Sequence, residues 1–302
     1  MNMNIKQAPF NSSLMGVIRG VADYFDIDLS TPSLYGRTGH AFFMNIHEAI
    51  CPSGPCCWNI DPFISLLENC GIRMKKHGFF SSESSLKERN TLEKAILTEL
   101  GKGNPCSVLN MDYQLITGSD GSGFLCTQPW ERKNPPAHLS FGSWDEWEDE
   151  IHASFYSFEK MEFSESLTAI QESLGFIADL NKRPSDFTMK PYTSGVAGYD
   201  VWVKGIKKGY GAEHGNWWNG TVWSECRKQG ALYFGEISEA YSMSSLVTVK
   251  LQDMYDRISE ILLEVSDKKL SKTKKIEYLK EARELEEETI PILASLTDLL
   301  NL

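Results

Sequence analysis

The sequence predicts an α+β domain over residues 8–163 followed by an α-helical domain over residues 164–302. Three observations lead there. Helix-like and strand-like segments are mixed through the first half, with a glycine-rich turn between strands near its end. Proline thins out after about Ser194 and glycine after about Gly235. Beyond that, apolar residues recur mostly at steps of three or four, the spacing of one helix face.

In chain order, Asn11–Phe25 reads as a helix whose first turn opens on Ser12 and Ser13. Either hydroxyl is a natural N-cap, because it can accept from a backbone N–H left over in the first turn. Thr38–Ile46 is aromatic and apolar and reads as a buried strand. Cys51–Trp58 follows as a loop, since Pro52 and Pro55 around Ser-Gly suit neither a helix nor a central strand. Asp61–Asn69 reads as a helix with Asp61 as N-cap and Pro62 at its first position. Ser85–Leu100 is a second amphipathic helix, stopped by Gly101-Lys102-Gly103. Pro105–Met111 and Tyr113–Gly118 are strands, and the turn over Gly118–Gly123 leads to a further strand ending at Thr127.

The second half should hold about five helices beyond a boundary near Phe163. Leu246, Val249, Met254, Ile258, Ile261, Leu262 and Val265 form one apolar stripe. Ser271–Leu302 is helical and rich in Glu and Lys, with Pro291 expected to kink or restart it. Gly215-Asn216-Trp217-Trp218-Asn219-Gly220 reads as a loop.

Composition narrows the function. The chain has 302 residues, 41% of them apolar and 11% aromatic, as in well-cored globular proteins. A formal charge of −11 argues against a general nucleic-acid binder, which needs a basic face. No stretch is long and apolar enough for a membrane span. Seven cysteines and a polar N-terminus without a signal-peptide core make reducing cytoplasm the expected compartment.

His40, His47, Cys51, Cys56, Cys57, Cys70 and His77 are the densest soft-ligand group, but their spacings miss the usual zinc pairs. Neither a metal nor a cofactor is therefore expected. His40 reads as a hydrogen-bonded core histidine or as a pocket residue. Trp217 and Trp218 read as a packing cluster or as an aromatic wall of a ligand cleft between the domains.

The opening helix, the strand Asp112-Tyr113-Gln114-Leu115-Ile116-Thr117-Gly118 and the following Gln128-Pro129 resemble the skeleton of papain-like cysteine hydrolases, bacteriocin-processing peptidases included. Such enzymes place a thiol at a helix N-terminus, where the dipole favours the thiolate, then a histidine and a polar partner on following strands. The resemblance puts Ser12, Asp112 and Gln128 in those three places, with Gly16 setting the register. Tyr35-Gly36-Arg37-Thr38-Gly39-His40-Ala41-Phe42, Cys51-Pro52-Ser53-Gly54-Pro55, Gly195–Trp202 and Trp223-Ser224-Glu225-Cys226-Arg227 are similar to the butirosin-biosynthesis protein H family. That family joins a papain-like domain to a helical one, and its named member moves an acyl group from a carrier protein to an amine.

The resemblance implies a papain-like fold and, with all three places substituted, a pseudoenzyme in specialised metabolism. It would bind a small molecule or an acyl or peptidyl carrier protein. A serine could act as nucleophile only with a base, and an aspartate of ordinary pKa, about 4, is a poor one. Two alternatives stay open: an acyltransferase or amide hydrolase using Ser12 or a relocated nucleophile at Cys51, and an interaction protein working through its acidic helical half. Whether the chain is an enzyme, and its oligomeric state, stay open at this level.

Overall fold

The computed structural model describes residues 2–128, 136–147, 152–241 and 245–300. Along the chain the elements are α1 (Ser13–Tyr24), α2 (Thr31–Arg37), β1 (Asn45–His47), α3 (Asp61–Leu67), β2 (Ile72–Ser81), α4 (Leu86–Gly101), β3 (Cys106–Asn110), β4 (Asp112–Ser119), β5 (Gly123–Cys126), β6 (His138–Ser140) and β7 (His152–Lys160). There follow α5 (Ser166–Lys182), β8 (Tyr192–Ser194), α6 (Ala197–Lys208), α7 (His214–Ala240), α8 (Ser245–Ser266) and α9 (Lys272–Leu300). The chain is thus mixed α+β.

It divides into two units, Met1–Leu29 with Cys70–Phe163, and Ser30–Asn69 with Ser164–Leu302. One of the breaks between them follows Phe163. Ser30–Asn69, expected in the first domain, instead packs with the second: β1 pairs antiparallel with β8, and α2 lies against α7. Gly36 brings α2 so close to α7 that a Cβ there would stand 2.1 Å from the ring of Tyr233.

The first unit is built on a six-stranded sheet ordered β2-β7-β3-β4-β5-β6, with every pairing antiparallel. Alternation along β3 and β4 sends Cys106, Val108 and Ile116 into a core with Leu92, Ile96 and Leu100 of α4. Leu115 points the other way, toward Gly20 of α1. A sheet covered by helices on both faces explains why β4 reads as a near-continuous buried run rather than an alternating one.

The second unit is mostly helical, with the short β1–β8 pair as its sheet. α7, α8 and α9 pack side by side, with α5 and α6 against α9. Its charged centre is a buried ion pair in which Arg227 of α7 meets Glu286 of α9 at 2.9 Å. The Arg227 guanidinium also donates to the carbonyls of Ala41 and Phe43, and Tyr199 donates to Glu286. Burying such a pair is tolerable only when its remaining donors and acceptors are met in this way.

Three local expectations are corrected. Residues 38–44 are turn and coil, and the strand is confined to Asn45–His47; their burial comes from Arg227 and the surrounding rings rather than from sheet pairing. The Trp217-Trp218 segment is the first turns of α7, not a loop. Its glycines mark close approach: a Cβ on Gly215 would lie 1.8 Å from the carbonyl oxygen of Ile50, and one on Gly220 2.9 Å from that of Leu262. Third, α9 continues past Pro291 rather than restarting there. Pro291 and Glu287, whose carbonyl loses its helical partner there, both lie on an exposed face, where water can take that carbonyl.

Candidate functional site

The residues singled out by sequence fall into two groups, one in each unit. In the first unit the site is the junction of α1 with β4. Ser12 caps α1, its Oγ accepting from the Met15 N–H at 3.4 Å. Ser13 reaches Asp112: its Oγ donates to Asp112 Oδ1 at 3.3 Å and accepts from the Tyr113 N–H at 3.0 Å. Ser12, Ser13 and Asp112 are all at most 5% exposed. Asp112 is delivered by a one-residue connection: Asn110 pairs with Asp112 across Met111, which adopts a left-handed φ of 64°. The side-chain amide nitrogen of that Asn110 is buried with no hydrogen-bond partner among the described residues.

Gln7, which sequence reasoning missed, ties this junction together. Its Nε2 donates to the carbonyls of Ser13 and Tyr113, and its Oε1 accepts from Leu115 N and Thr127 Oγ1. The residue expected as the third polar partner, Gln128, stands exposed beyond the end of β5. The adjoining Pro129 lies outside the described residues. The signal for Gln7 was present in α1: Gly16 and Gly20 are four residues apart. A Cβ at either would meet a backbone oxygen of the N-terminal arm, Ala8 at 2.5 Å and Lys6 at 2.3 Å. Two such glycines mark a helix face over which another chain segment passes.

In the second unit, His40 is enclosed by rings: Trp58 stacked at 5.8 Å, Phe63 edge-on at 5.7 Å, Tyr35 at 6.1 Å and Trp223 at 6.3 Å. Burial, reinforced by the Arg227 charge, lowers its pKa to about 3, so the imidazole is neutral at ordinary pH. Trp218 is buried, while Trp217 is half-buried and borders a shallow hollow of about 480 Å³ with His214, Ser266, Asp267, Lys268 and Lys269. Lys268 Nζ lies 5.8 Å from the Trp217 ring centre, a cation–π contact.

Cys51 belongs to a polar cluster. Ser53 Oγ is 2.9 Å from its sulfur and 2.7 Å from Tyr192 Oη. Tyr192 in turn touches the His47 ring at 4.9 Å and interacts with Cys57. Among the described residues no group of three or more His, Cys, Asp or Glu is placed to hold a metal ion, and no helix is long and apolar enough to cross a membrane.

A scan of family models finds no match to the chain, and a search of curated proteins finds none either.

Proposed function

We infer that this chain is a catalytically divergent member of the butirosin-protein-H-like group. In this reading it binds a small molecule or an acyl or peptidyl carrier substrate at the α1–β4 junction without bonding to it covalently. One observation carries the reading: the Ser13 hydroxyl proton is already given to Asp112, and the paired Asn110 keeps a buried amide nitrogen with no hydrogen-bond partner among the described residues. Ser12 is engaged in capping α1. A buried donor without an acceptor is costly, about 1–3 kcal/mol, and a ligand carbonyl would relieve that cost.

The test is a calorimetric titration with a short-chain acyl-pantetheine thioester, followed by intact-protein mass spectrometry. Saturable binding with no acyl adduct is expected, and Asn110→Ala should weaken binding about tenfold, the scale of one buried hydrogen bond. An acyl adduct on Ser12 or Ser13, or full-strength binding by the Asn110→Ala variant, would overturn the reading.

A further inference from the structure

The seven thiols are sorted by the fold. Cys70, Cys106, Cys126 and Cys226 are buried, whereas Cys51, Cys56 and Cys57 are partly exposed within one short loop. Burial pushes the thiols of Cys106, Cys126 and Cys226 well above their ordinary range, which leaves them protonated and inert. Thiol chemistry on the folded chain is therefore confined to that loop.

The loop is held in a defined shape. Asn45 Nδ2 donates to the carbonyls of Gly54 and Cys57, and Asn219 of α7 donates to the carbonyl of Cys51. The N–H groups of Cys56 and Cys57 both reach the Ser53 carbonyl at 2.9 Å. Cys51 and Cys57 meet one pair of hydroxyls: Ser53 donates to Cys51 at 2.9 Å, and Tyr192, 2.7 Å from Ser53, interacts with Cys57. With the Ser53 proton directed at Cys51, the Tyr192 phenol is the donor to Ser53. His47 packs edge-on against Tyr192, and its Nδ1 is occupied by the Ala49 N–H.

We propose that Cys51 and Cys57 form a dithiol site that reacts with low-molecular-weight disulfides, with the Ser53–Tyr192 hydroxyl pair orienting the two sulfurs. Cys51, the sulfur in direct contact with Ser53, attacks first. Its thiolate, the proton having passed to solvent, attacks one sulfur of the disulfide. The S–S bond breaks, and half of the reagent leaves as a thiolate that takes up a proton. Cys57, deprotonated in the same way, attacks the Cys51 sulfur of the mixed disulfide, and the second half leaves and is protonated. Two protein thiols are oxidised to one disulfide, and one small disulfide is reduced to two thiols. The site is distinct from the α1–β4 junction and does not depend on the function proposed for it.

The experiment uses the full folded chain and oxidised glutathione, with acid quenching and peptide mapping by mass spectrometry. The wild type should accumulate a Cys51–Cys57 disulfide. Cys57→Ser should halt at a glutathione adduct on Cys51. Tyr192→Phe, which leaves Ser53 without its orienting donor, should lower the share of first adduct on Cys51 relative to Cys56. Circular dichroism on each variant confirms that the fold is intact. Adducts spread evenly over Cys51, Cys56 and Cys57, a disulfide involving Cys56, or native chain left unreacted while denatured chain reacts fully would each overturn the proposal.

Discussion

At the scale of single residues, the chemistry turns on a shift of one position. Ser12 and Ser13 were both legible as first-turn hydroxyls, but which of them meets Asp112 depends on the angle at which α1 enters the sheet, and local sequence does not encode that angle. The structure assigns capping to Ser12 and the bond to Asp112 to Ser13. Ser13→Ala removes a buried donor to a carboxylate and should lower stability by about 1–3 kcal/mol in denaturant titration. His40 carries a second residue-scale prediction. Its folded-state pKa, about 3, lies below the unfolded value of about 6.5, so the unfolded chain binds the extra proton. The resulting stability is complete above roughly pH 6.5 and is lost as pH falls toward about 3. His40→Phe, which suits the surrounding rings, should flatten that part of the melting-temperature profile; an acid limb as steep as the wild type's would contradict the assignment.

At the scale of elements, helix and strand periodicity carried most of the reading, and α1, α3, α4 and the strand series around Asp112 all lie where the pattern placed them. The misses share a cause. Glycine and aromatic clusters at Thr38–Ile46 and Gly215–Gly220 suggested strand or loop, but their glycines answer to neighbours distant in sequence, Phe176 for Gly39 and Ile50 for Gly215, which no local window contains. Gly16 is the same device at the site, and Gly16→Ala must push back the backbone of Ala8. A loss of about 1–3 kcal/mol is expected, the usual cost of overpacking. A neutral Gly16→Ala result would show that the arm bearing Gln7 is not held against α1.

For the molecule as a whole, the α+β first half and helical second half were legible in the sequence, whereas the assignment of Ser30–Asn69 to the second unit was not. Arg227 shows why: a single buried guanidinium on α7 binds the carbonyls of Ala41 and Phe43 and pairs with Glu286, joining parts of the chain nearly 250 residues apart by number. Arg227→Met would strand the Glu286 carboxylate and should cost about 3–5 kcal/mol, while adding Glu286→Gln should recover part of that loss. The central claim concerns the other unit, where we propose that Ser12 and Ser13 are structural rather than nucleophilic. The most direct measurement is reaction of the folded chain with a serine-reactive fluorophosphonate, read by intact mass. No adduct on Ser12 or Ser13 is the expected result. A stoichiometric adduct abolished by Ser12→Ala or Ser13→Ala would contradict the claim and restore a covalent enzyme.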